Sequence, residues 1–578
     1  MAQQASEEVK MLPNGISDYK EIRNGNFYYV DKTMFLPTLE RAGQFLFLVR
    51  PRRFGKSLFL NMMSCYYDVN ETDNFDFLFG DTWIAQHPTR EKNKYLMLKF
   101  DFSQVKSKDG NYDAAMDEYG LNVLNDFMVK YRCYFTAPYL KNIDSWNSFY
   151  GKFQAIVGAA KALGLPIYLI VDEYDNFTNN VLNSQGEQVY HELTHGEGFY
   201  RELFMQFKGN FPKILMLGVS PVTLDDLTSG YNIATNITTD PRFNMMLGFS
   251  ETDVRELIEY YRKAGMITRE TDDIVAEMKP WYDNYCFAKQ SFGRDPQMFN
   301  SNMVLYYLNS LIQHGKSPDN MVDPNTRTDY NKMKRIIQLD QLDDDRRSLV
   351  HRIAEDGYVY GSINEQFPAE QLTDKRNFLS LLYYYGMLTI GGTRGAMLKL
   401  IIPNNNVRQQ YYGYLLEEYN AIRSVDVSFL DVPYYDAAVE GRWQSMMQSM
   451  TDAYSANASV RSLIEGERNL QGFFTAYFSI NPYYLTAPEM ELAHGYCDFF
   501  LMPDVQRYPV VQHAYIIELK YLHTDATQAE ALKQWQEAVE QIHHYATDAK
   551  LPHYLQGRQL HLLVVQMRGT QLEQMAEV

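Results

Sequence analysis

The sequence predicts two α/β units joined by a mainly helical middle, and three observations carry that expectation. Apolar, β-rich runs at 45–49, 95–102, 167–171 and 214–219 alternate with helix-compatible stretches through the first third, the pattern of a parallel sheet with crossover helices. From about 246 to 425 the apolar periodicity becomes mainly helical. Beyond 430 a helix, a hairpin, a second helix and a last strand follow in turn. At 578 residues the chain is too long for one core, and about 150 residues per domain suggests three or four units. The expected segments are 12–245, 246–425 and 430–578.

Bulk composition excludes several classes of protein. The chain is 46% hydrophobic and 22% charged, and no apolar run approaches the roughly 20 residues of a membrane span. The opening "MAQQASEEVKMLPNG" has acidic residues and no apolar core of a secretory signal, so the cytoplasm is the expected compartment. Cys65, Cys133, Cys286 and Cys497 lie far apart with no C-x-x-C pair, which predicts buried thiols rather than disulfides or a cysteine zinc site. A formal charge of −18 argues against wholesale wrapping of nucleic acid and leaves room for a local basic groove or metal-bridged phosphate contacts.

The first run leads into "FLFLVRPRRFGKSLFLNMM", residues 45–63: a strand, then Gly55-Lys56-Ser57, then a helical stretch. It is the end of a G-x-x-x-x-G-K-[ST] phosphate loop whose first glycine is replaced by Arg50. A glycine there permits a tight turn that a Cβ resists. Pro51 offers another path, because a residue before proline is pushed to extended conformations. Arg50 is therefore expected to continue the strand and the loop to turn around Arg52–Gly55. Lys56 would reach the outer phosphates, and the N–H groups around Phe54 and Gly55 would cradle them at the helix N-terminus. Arg50, Arg52 and Arg53 would add cationic donors, unless they sit on the surface or pair with acids elsewhere.

The third run ends in Asp172-Glu173. Asp172 would hold Mg2+ with Ser57, and Glu173 would orient the attacking water. The extra strand between the two motifs points to the P-loop branch that carries a catalytic glutamate. Two motifs in the expected order, each closing a predicted strand, predict a P-loop NTPase sheet that binds ATP.

Residues 191–198, "HELTHGEG", match H-E-x-x-H, which would make His191 and His195 zinc ligands and Glu192 a peptidase base. Arg201 stands where a third histidine would fall, and Gly196 and Gly198 weaken a helix. A structural turn, or a loop bringing His195 or Arg201 toward the nucleotide, fits better; zinc peptidase chemistry is a distant alternative. In the middle, Ser250 three residues before Asp253 predicts a capped helix over "ETDVRELIEYYRKAG" in a lid. "RNFLSLLYYYGMLTI" followed by "GGTRGAMLKLIIP" reads as a helix and hairpin of winged-helix type. The acidic run at 338–348 reads as solvated surface.

Near the C-terminal end, 495–522 reads as a hairpin with strands about 496–502 and 514–521. In Glu518-Leu519-Lys520 the two charged residues share a strand face. A hairpin centred near 508 sets Asp498 opposite Glu518, with Cβ atoms about 5 Å apart. Asp504, of the literal "PD", falls near the turn. Asp498, Glu518 and the Leu519 carbonyl would hold Mg2+ while Lys520 positions or activates water, the PD-(D/E)XK nuclease pattern. Upstream, Glu467 falls within an apolar stripe formed by Leu463/Ile464, Leu470, Phe474 and Tyr477/Phe478. A carboxylate there needs a cation or metal, so Glu467 is a fourth candidate and Glu465, off the stripe, is not. Gln534, Gln541 and Tyr545 lie near one face of the next helix and suit the site rim.

With these residues in view, the chain resembles the AAA-ATPase-like proteins, common in bacteria, that carry a C-terminal nuclease-like domain. The resemblance rests on "YYVDKT" at 28–33, "RPRRFGKSL" at 50–58, "VDEYD" at 171–175, "WYDNYCF" at 281–287 and the hairpin motif. It implies that the arginine-bearing loop is a family trait. It also implies that Asp498, Glu518 and Lys520 lie on the nuclease motif and that Glu467 matches the family's first-helix acid. The expected protein binds and hydrolyses ATP with Mg2+ and governs a Mg2+-dependent nuclease, with DNA as substrate ahead of RNA, no membrane partner, and self-association allowed. The alternative is a nucleotide-dependent interaction switch whose nuclease-like domain binds without cutting.

Overall fold

The computed structural model describes residues 8–105, 111–176, 199–207, 209–221, 234–323, 344–365, 367, 371, 375–422, 427–457, 467–493, 495–505 and 507–578. The chain divides into two compact units, Met1–Asp340 with Tyr360–Asn404, and Gln341–Val359 with Asn405–Val578. Residues of the expected middle segment fall in both.

The first unit is built on β1 (Phe45–Val49), β2 (Leu96–Asp101), β3 (Ile167–Asp172), β4 (Lys213–Gly218) and the two-residue β5 (Thr235–Asn236), in the order β2-β3-β4-β1-β5. Every neighbouring pair is parallel. All six residues of β3 are buried, which is why "IYLIVD" reads as a continuous apolar run rather than an alternating one. Because β4 lies between β1 and β3, the two motif-bearing strand ends open onto one crevice, where open α/β sheets take their ligands.

The expected capped helix is present as Glu251–Lys263, with the Ser250 hydroxyl and the Asp253 carboxylate each serving the other's backbone N–H. Farther on, the helix Lys375–Tyr384 leads into the antiparallel hairpin β7 (Thr389–Arg394) and β8 (Met397–Ile401), joined to β6 (Tyr358–Gly361) in the order β6-β8-β7. Gly395 takes the left-handed start of the two-residue turn, with φ of 60°.

The second unit carries β9 (Tyr484–Leu492), β10 (Gly495–Pro503), β11 (His513–Leu522), β12 (Gln559–Arg568) and β13 (Gln571–Glu577), in the order β13-β12-β11-β10-β9. Only the β11–β12 pair is parallel, and the helix Gln528–Tyr545 supplies its crossover. Ala538 and Ile542 of that helix pack with Phe500, Ile516 and Val564 in one core. Cys65, Cys286 and Cys497 are buried free thiols, whereas Cys133, expected buried, is exposed. Among the described residues no helix is long and apolar enough to cross a membrane.

Candidate functional site

The phosphate loop turns where the proline argument puts the turn. The Arg50 N–H still donates to Gly218 O at 3.2 Å, so the ladder of β1 runs on through Arg50. The chain then reverses through left-handed Arg53 (φ 70°) and Gly55 (φ 84°) into the helix Lys56–Tyr67. The segment that follows β5 packs against it: Gly248 N–H donates to Phe54 O (2.9 Å), and Ser301 Oγ and Asn302 N–H donate to Arg53 O (3.1 and 3.3 Å).

Arg50 is not where the sequence reading put it. It is fully buried, outside the lining of the cleft. Its guanidinium donates to the carbonyls of Val49 (2.9 Å), Thr238 (2.7 Å) and Phe243 (3.0 Å) and lies 4.3 Å from the centre of the Phe287 ring. Burial lowers its pKa to about 10, which leaves it charged at neutral pH. The arginine is a strut behind the loop, because carbonyls at its tip need donors that glycine lacks. Arg50→Met is expected to cost on the order of 3 kcal/mol through those unmet carbonyls, measured by thermal unfolding.

Arg52 and Arg53 do line the cleft, of about 590 Å³, together with Phe54, Gly55, Lys56, Ser57, Asp172 and Glu173. Arg52 reaches Glu173 Oε2 at 4.0 Å, and Arg53 pairs with Asp323 at 3.2 Å. Lys56 Nζ donates to the carbonyls of Arg50 and Pro51, both at 3.0 Å. Burial lowers its pKa, opposed by Glu173, Asp172 and Asp175. Ser57 Oγ donates to Asp172 Oδ2 at 3.1 Å, the pairing expected of two ligands to one magnesium ion. Burial raises Asp172, with Lys99 pulling the other way. Glu173 has a left-handed backbone, φ 51°, and its Oε2 accepts from Asn176 Nδ2 at 3.2 Å. The cleft is also lined by Tyr28, Tyr29 and Lys32, for which "YYVDKT" was a signal with no chemistry attached.

His191, Glu192 and His195 lie outside the described residues, and Arg201 lies on the helix Phe199–Phe207.

"WYDNYCF" forms the wall behind the loop: the Phe54 ring sits 4.9 Å from Tyr285 and 5.3 Å from Phe287. In the same motif Asp283 is buried, with Oδ1 lacking a hydrogen-bond partner among the described residues. Burial raises its pKa to about 6, opposed by the Asn284 N–H and Lys279. A raised carboxyl adds stability below its unfolded value and loses it as pH rises through the folded one. Asp283→Asn is therefore expected to be more stable than the parent at pH 8 by up to about 3 kcal/mol, the gap closing by pH 4; urea melts at the two pH values check this.

In the second unit the hairpin has the expected register. Phe499↔Ile517, Phe500↔Ile516 and Leu501↔Tyr515 are paired, and the same count sets Asp498 opposite Glu518. Leu519 N–H donates to Asp498 Oδ2 at 2.7 Å, and Lys520 Nζ to Glu518 Oε1 at 2.7 Å. Glu518 is 3% exposed, and its Oε2 has no hydrogen-bond partner among the described residues. Burial raises both carboxyls; Glu518 adds to the rise of Asp498, and Lys520 restrains both. For Lys520 burial acts downward, but Glu518 and Asp498 outweigh it and hold the ammonium above its ordinary value.

Glu467 needs a correction. It opens the helix Glu467–Ser479 and is exposed, so no burial cost demands a metal there, although Leu470, Phe474, Tyr477 and Phe478 are buried as the stripe predicts. Its charge still acts on Asp498, Glu518 and Lys520. Asp504 is a turn organiser that pairs with Arg507 at 3.3 Å. The rim candidates separate. Gln534 bonds Tyr521 O (3.1 Å) and buried Gln566 (2.9 Å), Gln541 is exposed, and Tyr545 packs in the core. Burial pushes Tyr545 up to about 12, with Glu518 and Asp498 adding to it.

No group of three or more His, Cys, Asp or Glu that could hold a metal occurs among the described residues. A pair of carboxylates with a spare buried oxygen nevertheless fits Mg2+, which is commonly held by one or two carboxylates with substrate phosphate and water.

Comparison with known proteins agrees with this division. Residues 13–228 match the family model described as "Predicted AAA-ATPase", and 465–577 that of the PD-(D/E)XK nuclease superfamily. A curated relative, "Uncharacterized protein in vnfD 5'region" of Azotobacter chroococcum mcd 1, is 28% identical over 284 residues, 48% of each chain. The chain thus spans about half the length of the relative it matches. The crystal structure of Cdc6p from Pyrobaculum aerophilum aligns over 72% of this chain and 97% of that one at 9% identity, with a TM-score of 0.25, too low to bear on the argument. On the two matched segments the chain joins an AAA-ATPase-like family domain to a domain of the PD-(D/E)XK nuclease superfamily.

Proposed function

We propose that the protein binds and hydrolyses ATP in the first unit and uses that site to govern a Mg2+-dependent nuclease in the second, acting on DNA in the cytoplasm. Residues 12–245, 246–425 and 430–578 are the segments assigned to nucleotide chemistry, lid and wing, and cutting. The observation that carries the reading is Glu518: a buried carboxylate, opposite Asp498, that gives one oxygen to Lys520 and leaves the other without a partner. Such an oxygen is costly unless it meets a cation.

The geometry supports the following division of labour. Asp498, Glu518 and the Leu519 carbonyl would hold Mg2+, which when bound neutralises charge on the phosphodiester oxygens. Lys520, fixed by its 2.7 Å bond to Glu518, orients the water that attacks phosphorus. Exposed Glu467 stands by to accept from that water. In the cleft, Lys56 and the N–H groups of the loop would bind phosphates, Ser57 and Asp172 would hold a second magnesium ion, and Glu173 would orient the attacking water.

The test is incubation of the full chain with DNA or RNA, with and without Mg2+ and ATP, beside Lys56→Ala. The expected result is Mg2+-dependent shortening of DNA at a rate that ATP changes in the parent and leaves unchanged in Lys56→Ala. A rate indifferent to ATP would remove the governing role. Intact DNA and RNA alongside continuing ATP turnover would leave a nucleotide-dependent interaction switch.

A further inference from the structure

We propose that Asp175 is a positioning residue for nucleotide hydrolysis, holding the turn that presents Glu173 to the cleft. The inference rests on the reading of Glu173 as the carboxylate that orients water. Glu173 is the turning point after β3 and adopts a left-handed backbone, a conformation that a residue with a Cβ keeps only when its surroundings impose it.

Asp175 supplies that imposition. It is 1% exposed, and its two carboxylate oxygens accept from consecutive backbone N–H groups at the end of β4, Val219 at 3.0 Å and Ser220 at 2.8 Å. Tyr174 fixes the same junction from both ends, its N–H donating to Leu217 O (3.2 Å) and its hydroxyl to Ser220 O (2.7 Å). The brace is tight enough that a Cβ on Gly218 would come within 2.5 Å of both Asp175 Oδ1 and the Tyr174 ring. On the other side of the turn, Asn176 N–H donates to Glu173 O (2.9 Å) and its amide to Glu173 Oε2 (3.2 Å). Glu173 therefore lies between the end of β3 and a tripeptide clamped to β4, and its carboxylate has little freedom to leave the cleft that it lines.

A carboxylate spanning two successive N–H groups also satisfies donors that would otherwise be stranded where the sheet ends. That service alone would be structural. The difference is that a brace acting through Glu173 has no effect on turnover once Glu173 is disabled, whereas a merely structural one does.

The experiment is a double-mutant cycle with Asp175→Ala and Glu173→Gln, scored by Mg2+-ATP affinity and by kcat. Asp175→Ala is expected to lower kcat about tenfold or more while affinity stays within about threefold, and to cause no further loss in the Glu173→Gln background. Asp175→Asn keeps the shape and one accepting oxygen, and its kcat should fall between the parent and Asp175→Ala; it carries the test if the alanine variant does not fold. Independent, multiplying losses, or affinity and kcat falling together, would overturn the proposal and leave Asp175 a structural brace. A parent protein that turns over ATP with unchanged kcat in both Asp175 variants sinks this inference alone. A parent that binds no nucleotide sinks the reading beneath it as well.

Discussion

Lys56→Ala is expected to weaken Mg2+-ATP binding by about two orders of magnitude or more and to abolish turnover. Lys56 is 5% exposed and lines the cleft with Asp172 and Glu173, whose charges, with that of Asp175, oppose the lowering of its pKa by burial. Its removal takes a cation from a cleft lined by the Asp172 and Glu173 carboxylates, which disfavours a bound polyanion. The loop itself should persist, because Gly55 and Arg53 keep their left-handed turn and Gly248 N–H, Asn302 N–H and Ser301 Oγ still hold the Phe54 and Arg53 carbonyls. Titration with a fluorescent ATP analogue checks the affinity, and an unchanged far-ultraviolet circular dichroism spectrum checks the fold.

Glu518→Gln is the second change with a large expected effect. It removes the charge proposed to hold Mg2+ while preserving shape, so Mg2+-dependent cleavage should fall about a hundredfold or more. Stability should move the other way. Glu518 is raised by burial, so its contribution is fully present below the unfolded pKa and is lost as pH rises through the folded one. In metal-free buffer the variant should therefore gain on the parent with rising pH. Added Mg2+ should raise the melting temperature of the parent and leave the variant unmoved. Thermal scans from pH 4.5 to pH 8.5, with Mg2+ or with a chelator, measure both effects.

What could be read in the sequence was set by where each element is buried. β1 and β3 were legible because strands covered on both faces are written as unbroken apolar runs. The register of β10 and β11 was legible because a strand period of two leaves little freedom once the turn centre is placed, and this brought Asp498 to Glu518. The edge strands β9 and β13 escaped notice: "YLTAPEMEL" contains a proline and "QLEQMAE" is polar, as befits strands paired on one side only. Arg50 was visible as an anomaly, but its direction was not, since the carbonyls it serves are nearly two hundred residues away, at Thr238 and Phe243. Glu467 was misjudged because the stripe that buries Leu470, Phe474, Tyr477 and Phe478 leaves Glu467 exposed. Asp175 sat in plain view in "VDEYD", but its partners are N–H groups of β4, and backbone donors carry no sequence signature.

The central claim is that Asp498, Glu518 and Lys520 form one hydrolytic site. It is tested most directly by the rate at which end-labelled single- and double-stranded DNA is cut in Mg2+ by the parent and by Lys520→Ala. The expected result is cleavage by the parent, silence in a chelator, and a loss of about a hundredfold or more in Lys520→Ala at a temperature where its circular dichroism spectrum matches the parent's. Parent and variant cutting at the same rate, or neither cutting DNA or RNA at any Mg2+ concentration, would contradict it.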